Sequence, residues 1–346
     1  MKFILFCQNP YAFGILKPIM QVLKERGDKY LWFLTPNLSD KFPFKNEPHT
    51  HDVEELAAFE SDAIMCPGNE VPHYLRGVKV QIFHGLAGEK KGHFRIRHYF
   101  DLYLTQGPYF TRRFNRLKLK HQNFEVIETG WPKLDIYGKD ANKYEAEKSQ
   151  LLEEHAASKM VLYAPTFSPS LTSAPFLLKE IEKFAENKEY LVVIKFHDLM
   201  APEIIAQYIA LAAKKENIVF EEEPNIVKFL LMADIMISDT SSVVYEFLLL
   251  DKPVITYRNN SQKILWDDQK EYSDLIERVV ANLEKDEFRP ERKIVIEDYH
   301  PYNDGQSARR MVEAAEQYIK KNGVPVKRKL PLLRRRKMNK MFKEKK

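Results

Sequence analysis

The sequence predicts an α/β protein made of two doubly wound, Rossmann-like domains. Short apolar runs of strand length alternate with amphipathic segments of helical period along the chain. This alternation is typical of parallel sheets covered by helices. The length of 346 residues suits two domains of ordinary size. A polar stretch without strand character, residues 140–159, separates two similar series of strands and helices, so we place the domain junction there.

The apolar runs with β-type composition give the predicted strands in chain order. Before the junction they are residues 2–7, 30–34, 63–66, 78–83, 102–105 and 125–129. After the junction they are residues 160–164, 191–195, 218–220, 235–237 and 254–257. Residues 15–26, 174–187 and 202–215 are examples of the helical segments between them. We expect the two domains to face each other across a cleft.

The predicted boundaries assign residues 1–140 to an N-terminal domain and 141–325 to a C-terminal domain. The last helix of the second domain, about residues 306–320, is expected to cross back to the first. Residues 326–346 form a basic tail. No run of 18 apolar residues is present, so no membrane span is predicted. The N-terminal run is too short for a signal peptide, and two cysteines, Cys7 and Cys66, indicate reduced thiols in the cytoplasm.

The net charge of +5 conceals two regions of opposite sign. Residues 327–346 hold 11 of the 54 basic residues and one of the 49 acidic residues, a local charge of +10. The remaining chain therefore carries 43 basic and 48 acidic groups, a charge of −5. Basic clusters mixed with Leu, Met and Phe favour an anionic membrane surface as the partner of this tail. Nucleic acid is disfavoured by the acidic body, and a disordered solubilising tail is the alternative.

A group of small polar residues follows the predicted strand 235–237 and precedes a predicted helix at 243–250. It consists of Ser238, Asp239, Thr240, Ser241 and Ser242. Hydroxyls and unpaired backbone N–H groups at such a place favour phosphate, and the carboxyl ends of parallel strands are where ligands usually bind. An ordinary Ser or Thr helix cap is the alternative interpretation.

Two histidines occupy equivalent positions in the two halves. His84 and Gly85 follow the strand 78–83 and continue into a loop with Lys90 and Lys91, while His197 follows the strand 191–195. Imidazole titrates near neutrality and serves as a general base, and a glycine- and lysine-containing loop lets an anion approach the backbone. No Asp-x-Asp pair or histidine cluster suggests a metal, and no G-x-G-x-x-G or P-loop suggests a dinucleotide or nucleoside-triphosphate enzyme.

Six motifs in order resemble those of the CDP-glycerol glycerophosphotransferases, which assemble teichoic acid and related capsule or lipopolysaccharide polymers. They are Phe-His-Gly at 83–85, Thr-Gly-Trp-Pro-Lys-Leu-Asp at 129–135, Leu-Tyr-Ala-Pro-Thr-Phe at 162–167, Ile-Lys-Phe-His at 194–197, Ser-Asp-Thr-Ser-Ser at 238–242 and Tyr-Asn-Asp-Gly at 302–305. The resemblance covers roughly residues 78–313 and implies the GT-B fold. The chain departs from the family pattern in two places: Phe196 and Asp198 flank the histidine where prolines are usual, and Glu246 stands where Asp is frequent.

By resemblance, the reaction is attack of an acceptor hydroxyl on the β-phosphorus of a CDP-alditol, which expels CMP. Since the sequence has no metal-binding or dinucleotide motif, we expect this reaction to need no metal or cofactor. His84 would take the hydroxyl proton, and His197 with Ser241 and Ser242 would hold the diphosphate. Further donor contacts are expected from Gly85, Thr166, Glu246 and Arg258, and Lys90 and Lys91 from the glycine-rich loop would add positive charge near phosphate or acceptor.

The expected partners are a CDP-alditol, CDP-glycerol before others, and a glycan or polymer acceptor that can be lipid-linked. The expected location is the inner face of the bacterial membrane, where the tail binds lipid and matters little to the chemistry. Two alternatives stay open at this point. One is a GT-B glycosyltransferase or sugar-nucleotide epimerase, and the other is a membrane-recruited binding protein without catalysis.

Overall fold

The computed structural model describes residues 1–86, 88, 92–138, 140–223 and 225–342. The chain divides into two compact units, the first made of Met1–Lys139 with Asp298–Lys346 and the second of Asp140–Glu297. The junction near residue 140 is where the polar stretch begins. The second boundary lies earlier than the predicted residue 325, because the chain returns to the first unit at Asp298. For the helix at about 306–320, this agrees with the expectation that it crosses back to the first domain.

The first unit contains a seven-stranded parallel sheet with the order β3-β2-β1-β4-β5-β6-β7. Its strands are β1 (Lys2–Cys7), β2 (Lys29–Leu34), β3 (His49–Thr50), β4 (Ala63–Cys66), β5 (Val78–Gln81), β6 (Leu102–Thr105) and β7 (Glu125–Glu128). Its helices up to the junction are α1 (Ala12–Glu25), α2 (Val53–Ala58) and α3 (Pro108–His121), with 3₁₀ turns at Pro36–Leu38 and Pro132–Tyr137. The central strands β4, β5 and β6 are buried on both faces; β4 and β6 consist mostly of apolar residues, whereas β5 also buries Lys79 and Gln81.

The second unit contains a six-stranded parallel sheet with the order β10-β9-β8-β11-β12-β13. Its strands are β8 (Lys159–Tyr163), β9 (Tyr190–Ile194), β10 (Ile218–Phe220), β11 (Ile235–Ser238), β12 (Val254–Tyr257) and β13 (Asp267–Gln269). Its helices are α4 (Glu145–Glu154), α5 (Ala174–Phe184), α6 (Pro202–Ala212), α7 (Ile226–Met232), α8 (Val243–Leu248), α9 (Leu275–Glu284) and α10 (Arg289–Tyr299), the last of which contains the boundary between the units. The predicted α/β class with two parallel sheets is confirmed.

All eleven predicted strands are present, and two further strands, β3 and β13, were not predicted. Both lie at an edge of their sheet and have only two or three residues. Each consists of polar residues, His49–Thr50 and Asp267–Gln269, because an edge strand need not bury both faces. The sequence therefore gave no apolar run by which to find them.

The C-terminal part of the first unit is held by residues of the two motifs at 129–135 and 302–305. The Asp135 carboxylate accepts hydrogen bonds of 2.8 Å from the backbone N–H groups of Ser307 and Ala308, at the start of α11 (Ser307–Asn322). Gly130 has a φ of +83°, and a Cβ there would lie 2.4 Å from Oγ of Ser307. Arg310 donates to the Thr129 carbonyl at 2.8 Å. These motifs therefore fasten α11 to the first unit.

The basic tail is partly a packed helix, α12 (Leu332–Phe342). Met338 and Phe342 are spaced by four residues, so they share one helix face, and both are buried. The Phe342 ring lies 5.6 Å from that of Phe6 and 6.2 Å from that of Phe33, and its carbonyl accepts from the Tyr74 hydroxyl at 3.2 Å. The expectation of a tail separate from the domains is thus wrong for residues 332–342, which complete the core of the first unit.

Among the described residues, no helix is both long and apolar enough to cross a lipid bilayer. Cys7 and Cys66 are free and buried, and burial raises the pKa of the Cys7 thiol to about 12. Such a thiol is an inert part of the core.

Candidate functional site

His84 is presented by an unusual turn at the end of β5. The preceding residue, Phe83, has a φ of +60°, a left-handed conformation that is uncommon for a bulky side chain. Its buried ring is held by stacking on His93 at 5.2 Å and by packing against Phe114 at 5.1 Å. This aromatic packing fixes the turn, so that His84 lies exposed immediately after it.

The hydrogen bond of His84 sets the protonation of its ring. Nδ1 lies 3.1 Å from the backbone carbonyl of Pro67. A carbonyl oxygen only accepts, so Nδ1 carries the hydrogen, and in the neutral ring Nε2 then holds the lone pair. The ring centroid of Tyr11 lies 5.2 Å from that of His84. A histidine in this tautomer is arranged to take a proton at Nε2.

Two buried glutamines support this turn, and the sequence analysis missed both. Gln81, at the end of β5, donates from Nε2 to the carbonyls of Cys66 and Pro67, each at 3.2 Å. Gln106, directly after β6, donates to the Gly85 carbonyl at 3.0 Å. The signal that was available is their position: each is a polar residue at the carboxyl end of a buried strand. Gly85 therefore has its carbonyl engaged inside the unit.

His197 follows β9 in the second unit with the opposite hydrogen-bond pattern. Its Nδ1 accepts from the backbone N–H of Leu199 at 3.1 Å, so in the neutral ring Nε2 carries the hydrogen. The exposed ring packs on Phe167, with centroids 4.5 Å apart. Phe167 is next to Thr166 in the loop after β8, so the ends of β8 and β9 meet here. His197 is thus arranged to donate from Nε2.

Asp239 links three loops of the second unit. Its carboxylate accepts from the backbone N–H groups of Thr166 and Ser173 at 2.8 Å and from the Ser173 hydroxyl at 2.9 Å. Its own carbonyl accepts from Nδ2 of Asn259 at 2.7 Å. Burial raises the pKa of Asp239 from 3.8 to about 6, against the lowering effect of these hydrogen bonds. The side chain therefore orders the loop after β8.

We expect alanine at Asp239 to lower the free energy of unfolding by about 2–3 kcal/mol, because the N–H groups of Thr166 and Ser173 lose their acceptor. The folded-state pKa near 6 lies above the ordinary value, so the folded protein binds the proton more readily than the unfolded chain. Stability contributed by this group therefore falls as pH rises from about 4 to 6, and the variant lacks that slope. Urea denaturation at several pH values measures both effects. Glu182→Ala, at an exposed carboxylate, is the control.

The remaining residues of the 238–242 group divide into buried and accessible ones. Ser238 is fully buried, and its hydroxyl donates to the Ala164 carbonyl at 2.7 Å. Thr240 accepts from the Asn260 backbone N–H at 3.2 Å. Ser241 and Ser242 are partly exposed, and the Ser242 side chain makes no capping hydrogen bond to α8. Ser242 therefore does not make the hydrogen bond of a helix cap, whereas the Ser238 hydroxyl is engaged by a hydrogen bond inside the unit.

Two other residues that are predicted to bind the CDP-alditol flank this group. Glu246 lies in the first turn of α8 and is 6% exposed. Arg258, which follows β12 with a φ of +51°, donates to the Lys270 carbonyl at 2.7 Å and lies over the ring of Tyr272 at 5.1 Å. The side chain of Arg258 is 56% exposed. Arg258 therefore presents a guanidinium that is ordered by stacking and accessible to solvent.

Lys90 and Lys91 lie outside the described residues. In the part of the chain that the structure describes, no group of three or more His, Cys, Asp or Glu side chains is placed to hold a metal ion. The second unit thus brings together Thr166, His197, the 238–242 group and Arg258 at the carboxyl edge of one sheet. The first unit places His84 and Gly85 at the same edge of the other.

Two parallel sheets with polar residues at their carboxyl ends define a two-unit α/β protein of the GT-B class. The sequence profile of the CDP-glycerol:poly(glycerophosphate) glycerophosphotransferases matches residues 84–317. This match covers more than half of the chain and begins at His84. The chain belongs to this family, and the resemblance found in its motifs is confirmed.

Named relatives come from teichoic acid synthesis. The chain is 26% identical over 229 residues to the teichoic acid ribitol-phosphate polymerase TarL of Staphylococcus aureus, a match covering 60% of this chain and 39% of that protein. It is 32% identical over 143 residues to the teichoic acid glycerol-phosphate primase of Bacillus spizizenii, covering 38% of this chain and 33% of that protein. The matched regions thus span less than half the length of these relatives.

Solved structures share the fold. The wall teichoic acid polymerase TagF superposes with a TM-score of 0.66 and 17% identity, covering 92% of this chain and 89% of that chain. The S. aureus MnaA–UDP complex gives a TM-score of 0.66 with 13% identity, covering 96% and 99%. At such identities the likeness concerns the fold alone.

Proposed function

We propose that this protein transfers an alditol phosphate from a CDP-alditol to a hydroxyl of a cell-surface glycan or polymer and releases CMP. Glycerol phosphate is the first candidate for the transferred group. The observation that supports this most is the family match from residue 84 to 317, which begins at His84 and includes His197 and the 238–242 group. Each of the two histidines has a hydrogen bond that suits its proposed part.

His84 is the proposed general base. The acceptor hydroxyl gives its proton to Nε2 while its oxygen forms a bond to the β-phosphorus. The bond from that phosphorus to the bridging oxygen breaks, and CMP leaves with the electron pair. The hydrogen bond from Nδ1 to the Pro67 carbonyl favours this role, because it keeps Nε2 unprotonated before the reaction and stabilises the imidazolium formed in it.

The second unit is the proposed binding site for the donor. His197 donates from Nε2 to a phosphate oxygen, and the partly exposed Ser241 and Ser242 add hydroxyl donors. Arg258 supplies positive charge, while Thr166 and Glu246 are proposed to contact the nucleotide, the latter at the ribose hydroxyls. Gly85 and the lysines Lys90 and Lys91 are proposed to let an anionic group approach near His84.

The test is CMP release by the purified protein from CDP-glycerol and CDP-ribitol, with UDP-N-acetylglucosamine as the substrate of the rival class. Since TarL and the primase are named for ribitol phosphate and glycerol phosphate, both alditols belong in the panel. We expect CMP release that persists in chelator. Conversion of the UDP-sugar with no CMP release would favour a GT-B glycosyltransferase or epimerase. Inactivity toward every nucleotide, with retained membrane binding, would favour a non-catalytic binding protein.

We also propose that the outer face of α12 binds the anionic inner surface of the bacterial membrane, where a lipid-linked acceptor would be met. Leu332 and Leu333 are 75% and 80% exposed, next to the exposed cations Arg335, Arg336 and Lys340. Exposed leucines flanked by basic residues suit the interface of an anionic leaflet, at about 1 kcal/mol per basic residue.

We expect Arg335→Glu, Arg336→Glu and Lys340→Glu in combination to abolish binding to acidic phospholipid vesicles, because the attraction is electrostatic. Vesicle co-sedimentation at increasing salt measures this, and wild-type binding should fall steeply with salt. The matched control reverses Lys179, Lys183 and Lys214, three exposed lysines of the second unit, with the same change in net charge. Equal loss in both triple variants would show a net-charge effect instead of a site on α12.

A further inference from the structure

The carbonyl that orients His84 belongs to a short segment, residues 66–74, which follows β4. Pro67 O is shared by two donors, Nδ1 of His84 at 3.1 Å and Nε2 of Gln81 at 3.2 Å. The same Nε2 also donates to the Cys66 carbonyl at 3.2 Å. Gln81 is 3% exposed, so its amide is shielded from water. The first end of the segment is thus held from inside the sheet.

The other end of segment 66–74 is held by α12. The Tyr74 hydroxyl donates to the Phe342 carbonyl at 3.2 Å, and Lys337 forms an ion pair with Glu70. Phe342 is itself fixed by the rings of Phe6 and Phe33. The Cys66 thiol lies 3.5 Å from the Glu70 carbonyl and so closes the segment on itself.

We propose that Gln81 and helix α12 are positioning elements for His84, acting through segment 66–74. Gln81 fixes the Pro67 carbonyl in the direction that the Nδ1–H of His84 requires. Helix α12 prevents the far end of the segment from moving away and carrying that carbonyl with it. The effect on catalysis rests on the proposed function, whereas the effect on the His84 ring does not.

This proposal changes the expected consequence of losing the C-terminus. A tail that only binds membrane would leave turnover on a soluble acceptor analogue intact. A helix that holds segment 66–74 would not, because a carbonyl displaced by about 1 Å no longer accepts from Nδ1 with good geometry. The same helix would then serve the membrane with its outer face and His84 with its inner face.

The experiment uses the full chain labelled with ¹⁵N at histidine. The nitrogen shifts of His84, assigned by their loss in His84→Gln, report which ring nitrogen carries the hydrogen. Gln81→Met removes both donated hydrogen bonds at nearly the same side-chain volume, and Phe342→Ala releases α12. Leu119→Ala, at a 77% exposed leucine of the same unit, is the control.

We expect Gln81→Met and Phe342→Ala to shift the tautomer population of His84 and to lower kcat by about 10-fold with the donor KM unchanged. Phe342→Leu should restore most of the wild-type behaviour. Should Gln81→Met or Phe342→Ala fail to fold by circular dichroism, Tyr74→Phe and Lys337→Met, which each remove one contact between α12 and the segment, carry the test with smaller shifts of the same kind. Wild-type nitrogen shifts for His84 in every folded variant would overturn the proposal. Shifted signals in a protein that releases no CMP would instead retain the positioning and refute the proposed function.

Discussion

Alanine at His84 is expected to lower turnover by at least ~10²-fold while the protein stays folded, since the loss of a general base has that typical size. The His84 side chain is exposed, so its removal costs the fold little. Steady-state CMP release measures the effect. His49→Ala, at an exposed histidine of the same unit, is the control.

A loss of at least ~10²-fold is also expected for His197→Ala, because a donor aimed at developing phosphate charge contributes about this much. The two histidines differ in the hydrogen bond at Nδ1. Nδ1 of His84 donates to the Pro67 carbonyl, whereas Nδ1 of His197 accepts from the backbone N–H of Leu199. Glutamine at 197 keeps a side-chain donor and should retain more activity than alanine. Turnover within a few-fold of wild type would remove the altered histidine from the mechanism.

The fold was predictable where strands are apolar. Inner strands such as β4 and β9 are buried on both faces, so they are continuous apolar runs that stand out in the sequence. The edge strands β3 and β13 carry polar residues and gave no such run. These strands are defined by their pairing with a neighbouring strand, and a local sequence pattern does not contain that information.

The candidate site was predictable as a set of strand ends but not residue by residue. Ser238 and Asp239 belong to the predicted polar group, yet both side chains turn inward and bond the loop after β8. Gln81 went unnoticed because a single amide at a strand end resembles any loop residue. Successive side chains of a strand point to opposite faces, so a shift of one residue at the end of a strand reverses the direction of a side chain. The residue types do not determine that shift.

The packed helix at the C-terminus was not predicted because the segment is strongly basic. Eleven basic residues in 327–346 favoured a free tail, although Met338 and Phe342 form a buried pair within it. Two apolar residues one helical turn apart are too few to mark a core face by periodicity. The segment just before the helix is also bound to the first unit, through Arg328.

Arg328 connects this segment to the rest of the first unit through several contacts. It forms an ion pair with Asp101, and it donates to the carbonyls of His98 at 2.6 Å and Asn123 at 2.7 Å. The two charged side chains are 9% and 10% exposed. The other carboxylate oxygen of Asp101 accepts from the Lys79 backbone N–H at 2.8 Å, so Asp101 is fixed in place.

We expect Arg328→Met to lower the free energy of unfolding by about 3–5 kcal/mol, because the buried Asp101 carboxylate loses its counter-charge. The double variant Arg328→Met with Asp101→Asn should cost less than Arg328→Met alone, since the amide oxygen still accepts from the Lys79 backbone N–H and the carboxylate charge is removed. Urea denaturation measures both, with Lys329→Met, at the exposed neighbouring residue, as the control. If Arg328→Met and Lys329→Met are equally mild, the ion pair adds little, and α12 is held by the packing of Met338 and Phe342 alone.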